Sequence, residues 1–109
     1  MTDQERIAYE HRDQPAVYLL HFDTRYKHAG HYLGQTPDLH LRLAEHRAGK
    51  KSAARLVQVI IAAGITWTLA RVWECETWDD AQKMEKRFKR WQHNGRLCPI
   101  CNMKEGRTE

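Results

Sequence analysis

A glutamate set into an apolar helix stripe makes the clearest chemical demand in this sequence. Ala81, Met84, Phe88 and Trp91 recur at helical spacing with Glu85 inside their stripe, while Lys83, Lys86, Arg87, Lys89 and Arg90 lie largely around the rest of the helix. A carboxylate facing a core needs an ion partner, hydrogen bonds or a bound cation. Glu85 therefore reads either as half of a structural ion pair with an arginine or as a metal ligand. Arg42 and His46, four residues apart, share one helix face and make a phosphate-sized polar pair. Arginine offers a charged fork to non-bridging phosphate oxygens, and histidine a donor or proton acceptor near neutral pH. The plainer reading is an exposed helix face on which His46 merely follows Glu45. Tyr18 and Tyr32 fall on adjacent strands and read either as packed core or as hydroxyls presented on one side of the sheet. A phenol, with an ordinary pKa of about 10, becomes a useful base only beside a metal ion or cationic groups. Cys98 and Cys101 have the two-residue spacing of half a zinc site, with His93 and Cys75 the nearby residues to complete it. Zinc is the lesser reading of this pair. Ordinary reduced thiols, a disulfide formed on oxidation, or a metal shared between chains account for the rest.

The elements that must position these groups follow from periodicity and punctuation. Pro15 introduces the apolar run Ala16–Phe22, a buried strand; after the polar stretch 23–30, residues 31–35 form a second, so that 16–35 reads as an antiparallel hairpin with a long loop. Thr36-Pro37-Asp38 starts a helix, with Thr36 as N-cap and Pro37 at the first helical position, which runs to about Arg47 and stops at Gly49. Ser52 caps a second helix whose face is Ala53, Leu56, Val57, Ile60 and Ile61, closed by Gly64. Residues 65–73 are a third strand, with Trp67, Leu69 and Trp73 on one side and Thr66, Thr68, Ala70 and Val72 on the other. Thr77 caps the last helix, which runs toward Gln92, and residues beyond Arg96 read as an irregular tail. The expected fold is α/β, a small three-stranded, mostly antiparallel sheet flanked by helices. The expected division is a polar N-terminal tail over 1–14, a domain over 15–96, and a tail carrying the cysteine pair over 97–109.

Composition narrows the class. With 109 residues, 41% of them hydrophobic and 29% charged, the chain has room for one globular core and is neither disordered nor fibrous in type. No apolar stretch approaches the roughly 20 residues of a membrane helix, and the acidic, polar start resembles neither a signal nor a transit peptide. A cytoplasmic protein is expected, and three cysteines do not make a disulfide framework. The net charge of +4 hides two basic blocks, each +5, over 24–55 and 81–96. They read either as solvated helix faces or as borders of one anion-binding surface.

In order, Ala16-Val17-Tyr18, His31-Tyr32-Leu33-Gly34, Arg42 with His46, and Glu85 in a late amphipathic helix make the sequence resemble the GIY-YIG nuclease domain over about residues 15–92. Lys27-His28-Ala29-Gly30-His31-Tyr32 and the terminal Cys98-Pro99-Ile100-Cys101 are similar to small stand-alone members. Ala16 and Val17 stand where the family name has Gly and Ile, and Leu33 stands for Ile; the family's late Asn is matched only by Asn94, which is given no role. The resemblance implies a metal-dependent endonuclease. Glu85 would hold one Mg²⁺ or Mn²⁺, Arg42 would stabilise the transition state, and Tyr18, Tyr32 and His46 would activate and position water, with Tyr18 and His46 both open as the base. DNA is the implied partner, its backbone tracked by Lys50, Lys51, Arg55 and Lys89. With no room for a recognition domain, structure-selective or weakly sequence-specific cutting is expected, or targeting by a protein partner. The rival reading is a non-catalytic nucleic-acid-binding or adaptor module.

Overall fold

The computed structural model describes residues 6, 14–27, 29–49, 51, 53–91 and 97–104. Three strands, β1 (Ala16–Tyr26), β2 (Ala29–Thr36) and β3 (Trp67–Glu74), form an antiparallel sheet in the order β2-β1-β3. The helices are α1 (Leu39–Ala48), α2 (Arg55–Ala62), α3 (Trp78–Trp91) and a short α4 (Pro99–Lys104). The unbroken apolar run of β1 is explained by its place in the middle of the sheet, where Ala16 to Phe22 are all buried because both faces are covered. On one face Tyr18, Leu20 and Phe22 pack with Leu39 and Leu43 of α1 and with Val57 and Ile60 of α2. On the other, Val17, Leu19 and Leu33 pack with Ala81 and Phe88 of α3 and with Cys75 and Cys98.

Three sequence expectations are corrected. Thr36 does not cap α1: its hydroxyl accepts the Asp38 N–H at 3.1 Å, and Asp38, with φ −147°, takes the cap and accepts the Leu41 N–H at 3.1 Å. A charged carboxylate at a helix start serves both the free N–H groups and the helix dipole. In β3 the two faces exchange partway, because Leu19 opposes Arg71 while Leu20 opposes Leu69, leaving Ala70 as an extra residue. After this bulge Val72 joins Trp67 and Leu69, whereas Trp73 faces the opposite cluster with Ala70. The segment beyond Arg96 is not wholly irregular, since α4 forms there and Cys98 is fully buried. Other punctuation behaves as expected: Gly49 closes α1 at φ 64°, and the Thr77 hydroxyl accepts the Asp80 N–H at 3.1 Å. Ser52 lies outside the described residues, and Ala54 precedes α2 without a side-chain cap.

Gly34 in β2 lies opposite Tyr18 in β1. A Cβ there would come within 2.6 Å of the Tyr18 ring end and 2.7 Å of the Tyr32 ring, so only glycine leaves room for the buried phenol. Gly34→Ala should lower stability by about 1–3 kcal/mol, as overpacking of a closed core does, read as a lower urea midpoint. An unchanged midpoint would show that the Tyr18 ring has another place to go.

Candidate active site

The hairpin and α1 bring three motif residues together on one face of the sheet. The Tyr18 hydroxyl and His46 Nε2 are 2.7 Å apart, and both residues are fully buried. Tyr32 packs beside them, its ring centre 6.1 Å from that of Tyr18 and 5.6 Å from that of His46, while Trp67 closes the imidazole from a third side at 6.4 Å. His46 is thus no exposed neighbour of Glu45. The α1 periodicity points it inward with Leu39 and Leu43.

Burial sets the protonation of this cluster. It pushes the Tyr18 phenol well above its ordinary value, Tyr32 adding to the rise and the Arg42 guanidinium opposing it. The same desolvation, with Arg42 adding, lowers His46 from 6.5 to about 4, so the imidazole is neutral at physiological pH. Its Nδ1 has no hydrogen-bond partner among the described residues. As pH falls from 6.5 toward 4, the unfolded chain takes up a proton at this position and the folded chain does not, so stability declines over that window and levels below it. The urea midpoint should therefore drop across that window in the wild type. The drop should be smaller in His46→Gln; equal slopes would show that His46 titrates normally.

Arg42 is held at the mouth of the cluster by a 2.8 Å bond from Nη1 to Glu45 Oε1. Burial alone would lower its pKa, but the bonds to Glu45 and Tyr18 outweigh that and raise it, so its charge is secure. It lines an open cleft of about 300 Å³ with Gln35, Thr36, Pro37, Asp38, Leu41 and Glu45.

Glu85 approaches from the other side of the sheet, on α3, which packs over β1 and β2. Only 8% exposed, it accepts a bond from Gln35 Nε2 at 3.3 Å, and Lys89 Nζ lies 3.6 Å from the same oxygen. Among the described residues, the cation that faces Glu85 is Lys89. Lys89, largely exposed, is an i,i+4 neighbour whose contribution to stability is below about 1 kcal/mol. Gln35 is the residue that joins the two halves. It lies on the edge strand, lines the Arg42 cleft, and bonds Glu85.

The family model described as the GIY-YIG catalytic domain matches residues 14–97. The chain belongs to this family. No curated protein and no solved structure matches it. Membership carries nuclease-type activity on nucleic acid, and GIY-YIG nucleases are generally metal-dependent. No helix among the described residues is long and apolar enough to cross a membrane.

In this GIY-YIG domain, Tyr18, Tyr32, Arg42 and His46 form one cluster, and Glu85 is linked to it through Gln35. Lys51 and Arg55 are exposed around the start of α2; Lys89 lies against Glu85; Lys50 lies outside the described residues. Sequence reasoning missed Gln35, since a glutamine near a strand end signals nothing on its own. It also named His93 and Cys75 beside the cysteine pair and overlooked two histidines that the structure brings there. His93 lies outside the described residues, Cys75 is bonded toward the Trp73 carbonyl, and the groups that meet Cys98 and Cys101 are His21 and His31. The signal available was a histidine inside the apolar run of β1.

Proposed function

We propose that this GIY-YIG domain is a metal-dependent endonuclease that hydrolyses phosphodiester bonds in DNA and selects its substrate by structure more than by sequence. The observation that carries the reading is Gln35, which borders the cleft of the Arg42 guanidinium while its amide bonds the buried Glu85. An anion-binding group and a cation-binding group thus meet around one strand edge, as a phosphodiester bridged to a cation requires.

The donors suit a hard cation. Glu85 supplies carboxylate oxygen, and Gln35 Oε1 is a buried oxygen without a hydrogen-bond partner among the described residues. Oxygen donors with room for water fit Mg²⁺ or Mn²⁺. Bound by Glu85, such an ion would supply Lewis-acid stabilisation of charge on the leaving 3′ oxygen. The chain's own groups do the rest. Arg42, steadied by Glu45, presents its fork to a non-bridging phosphate oxygen and opposes the charge that develops there.

Water is activated through a chain of three groups. Tyr18 and His46 are closed to solvent, whereas Tyr32 is half-buried and stands at the outer end. Tyr32 takes the proton of the attacking water and passes its own to Tyr18, which in turn gives its proton to His46. The raised pKa of Tyr18 makes a standing phenolate unfavourable, and neutral His46, its Nε2 2.7 Å from the phenol, accepts the relayed proton in the tautomer that carries its own hydrogen on Nδ1. Products with a 5′-phosphate and a 3′-hydroxyl result.

Lys51 and Arg55 are exposed cations that suit backbone contacts, which give salt-dependent affinity and little sequence information. A protein partner would supply any tighter targeting. The three cysteines, none of them in a disulfide, fit a reducing cytoplasm.

The test is a panel of end-labelled duplex, flap and branched DNAs incubated with the protein in Mg²⁺ and in Mn²⁺. Metal-dependent cutting that leaves ligatable 5′-phosphate ends supports the reading. If every DNA stays intact while bound to saturation, the domain is a nucleic-acid-binding module without turnover.

A further inference from the structure

We infer that His21, His31, Cys98 and Cys101 form a closed structural zinc site, separate from the nuclease centre, that ties the C-terminal segment to the strand pair carrying Tyr18 and Tyr32. His21 in β1 and His31 in β2 are direct partners in the antiparallel register, their ring centres 5.3 Å apart. Cys98 and Cys101 come from the start of α4 to the same point. Cys98 Sγ is 3.5 Å and Cys101 Sγ 3.6 Å from His21 Nδ1, and Cys101 Sγ is 3.2 Å from His31 Nε2. All four ligand atoms lie within 4.8 Å of one another.

The three nitrogen–sulfur separations match the chemistry. With Zn–N of about 2.0 Å and Zn–S of about 2.3 Å, the edges of a tetrahedron measure about 3.3–3.8 Å. Two thiolates and two neutral imidazoles give a closed four-ligand set with no position left for substrate. The charge balance also suits the place. On binding, each thiol releases its proton, and Zn²⁺ with two thiolates is neutral overall, so it is tolerated where Cys98 is fully buried and His21 is 6% exposed.

The site has a definite place in the architecture. His31, Leu33 and Gln35 alternate along one face of β2, so the cluster sits four residues, about 13 Å, along the strand from Gln35 and its Glu85 partner. His21 and His31 are the last regular pair before the register shifts toward Tyr26. A metal clamped there fixes the two strands at the point where their ladder becomes irregular. Tyr32 is the next residue after His31, and Tyr18 stands three before His21. The clamp therefore holds the strands that position both phenols.

Metal content read on the full chain tests this. Protein purified under reducing conditions without added metal should carry one zinc per chain by mass spectrometry. Replacing the zinc by Co²⁺ should give the absorption of a tetrahedral cobalt–thiolate site. Cys98→Ser/Cys101→Ser should lose the zinc, whereas His31→Cys, which keeps four ligands, should retain it and guards against a variant that merely misfolds. Glu85→Gln should keep the full equivalent, which separates this site from the catalytic cation and leaves the test independent of whether the protein cuts DNA. Folded wild-type protein that binds neither zinc nor Co²⁺ with its thiols reduced would overturn the inference, as would zinc retained in the double serine variant or lost in Glu85→Gln.

Discussion

Glu85→Gln is expected to lower single-turnover DNA cleavage by roughly 10³-fold or more, while DNA binding in the absence of divalent metal stays the same or tightens. Loss of a metal-bound stabiliser of developing charge removes several kcal/mol from the transition state, and each 1.4 kcal/mol or so is a factor of ten. The substitution keeps the shape of the side chain and its bond with Gln35 while removing the charge that recruits a cation. Because Glu85 lies against Lys89, neutralising it also leaves the lysine free to meet phosphate, which is why binding should not fall. Rate measured with enzyme in excess, beside a filter-binding or anisotropy titration in EDTA, separates the two effects. A loss of affinity equal to the loss of rate would show that Glu85 supports folding or DNA contact instead of catalysis.

Tyr18→Phe is the second large effect, expected to slow cleavage by about 10²–10⁴-fold, the range of a lost proton-transfer group. The ring stays in its slot over Gly34, so the packing is kept, and only the hydroxyl that meets His46 Nε2 at 2.7 Å is removed. The imidazole then has two unsatisfied ring nitrogens in a buried site, since Nδ1 already lacks a partner among the described residues. A modest fall in stability of about 1–3 kcal/mol should accompany the kinetic loss. The relay is distinguished from simple positioning by pH. In the wild type the rate should rise as His46 loses its proton near pH 4 and then stay level through neutrality. In Tyr18→Phe, where the route to His46 is cut, that limb should weaken. A wild-type limb centred near the ordinary histidine value of 6.5 would contradict the neutral, buried imidazole.

Local signals carried much of this architecture. The apolar run after Pro15, the Gly49 stop and the Thr77 cap are written in neighbouring residues, and so are the four-residue spacing of Arg42 and His46 and the acid within an apolar stripe. What escaped depends on pairings between distant segments. The bulge at Ala70 reverses the faces of half a strand through one unpaired residue that no alternation rule reveals. Gln35 matters because the edge strand brings it between Arg42 on α1 and Glu85 on α3. His21 and Cys98 are 77 residues apart, and their meeting depends on the hairpin register placing His21 opposite His31. Asp38 displaced Thr36 as the cap because two residues on either side of Pro37 could each accept the first free N–H groups, and the charged one did.

In the proposed mechanism, one cation, held at Glu85, serves the phosphodiester cleft bordered by Arg42. The most direct test is the single-turnover cleavage rate of a flap-bearing DNA as Mg²⁺ is titrated from zero, for the wild type and Glu85→Gln in parallel. No cutting is expected in EDTA, with a saturable rise with Mg²⁺ in the wild type and no comparable rise in the variant. Equal cutting in EDTA and Mg²⁺, or the same Mg²⁺ curve for both proteins, would contradict that mechanism.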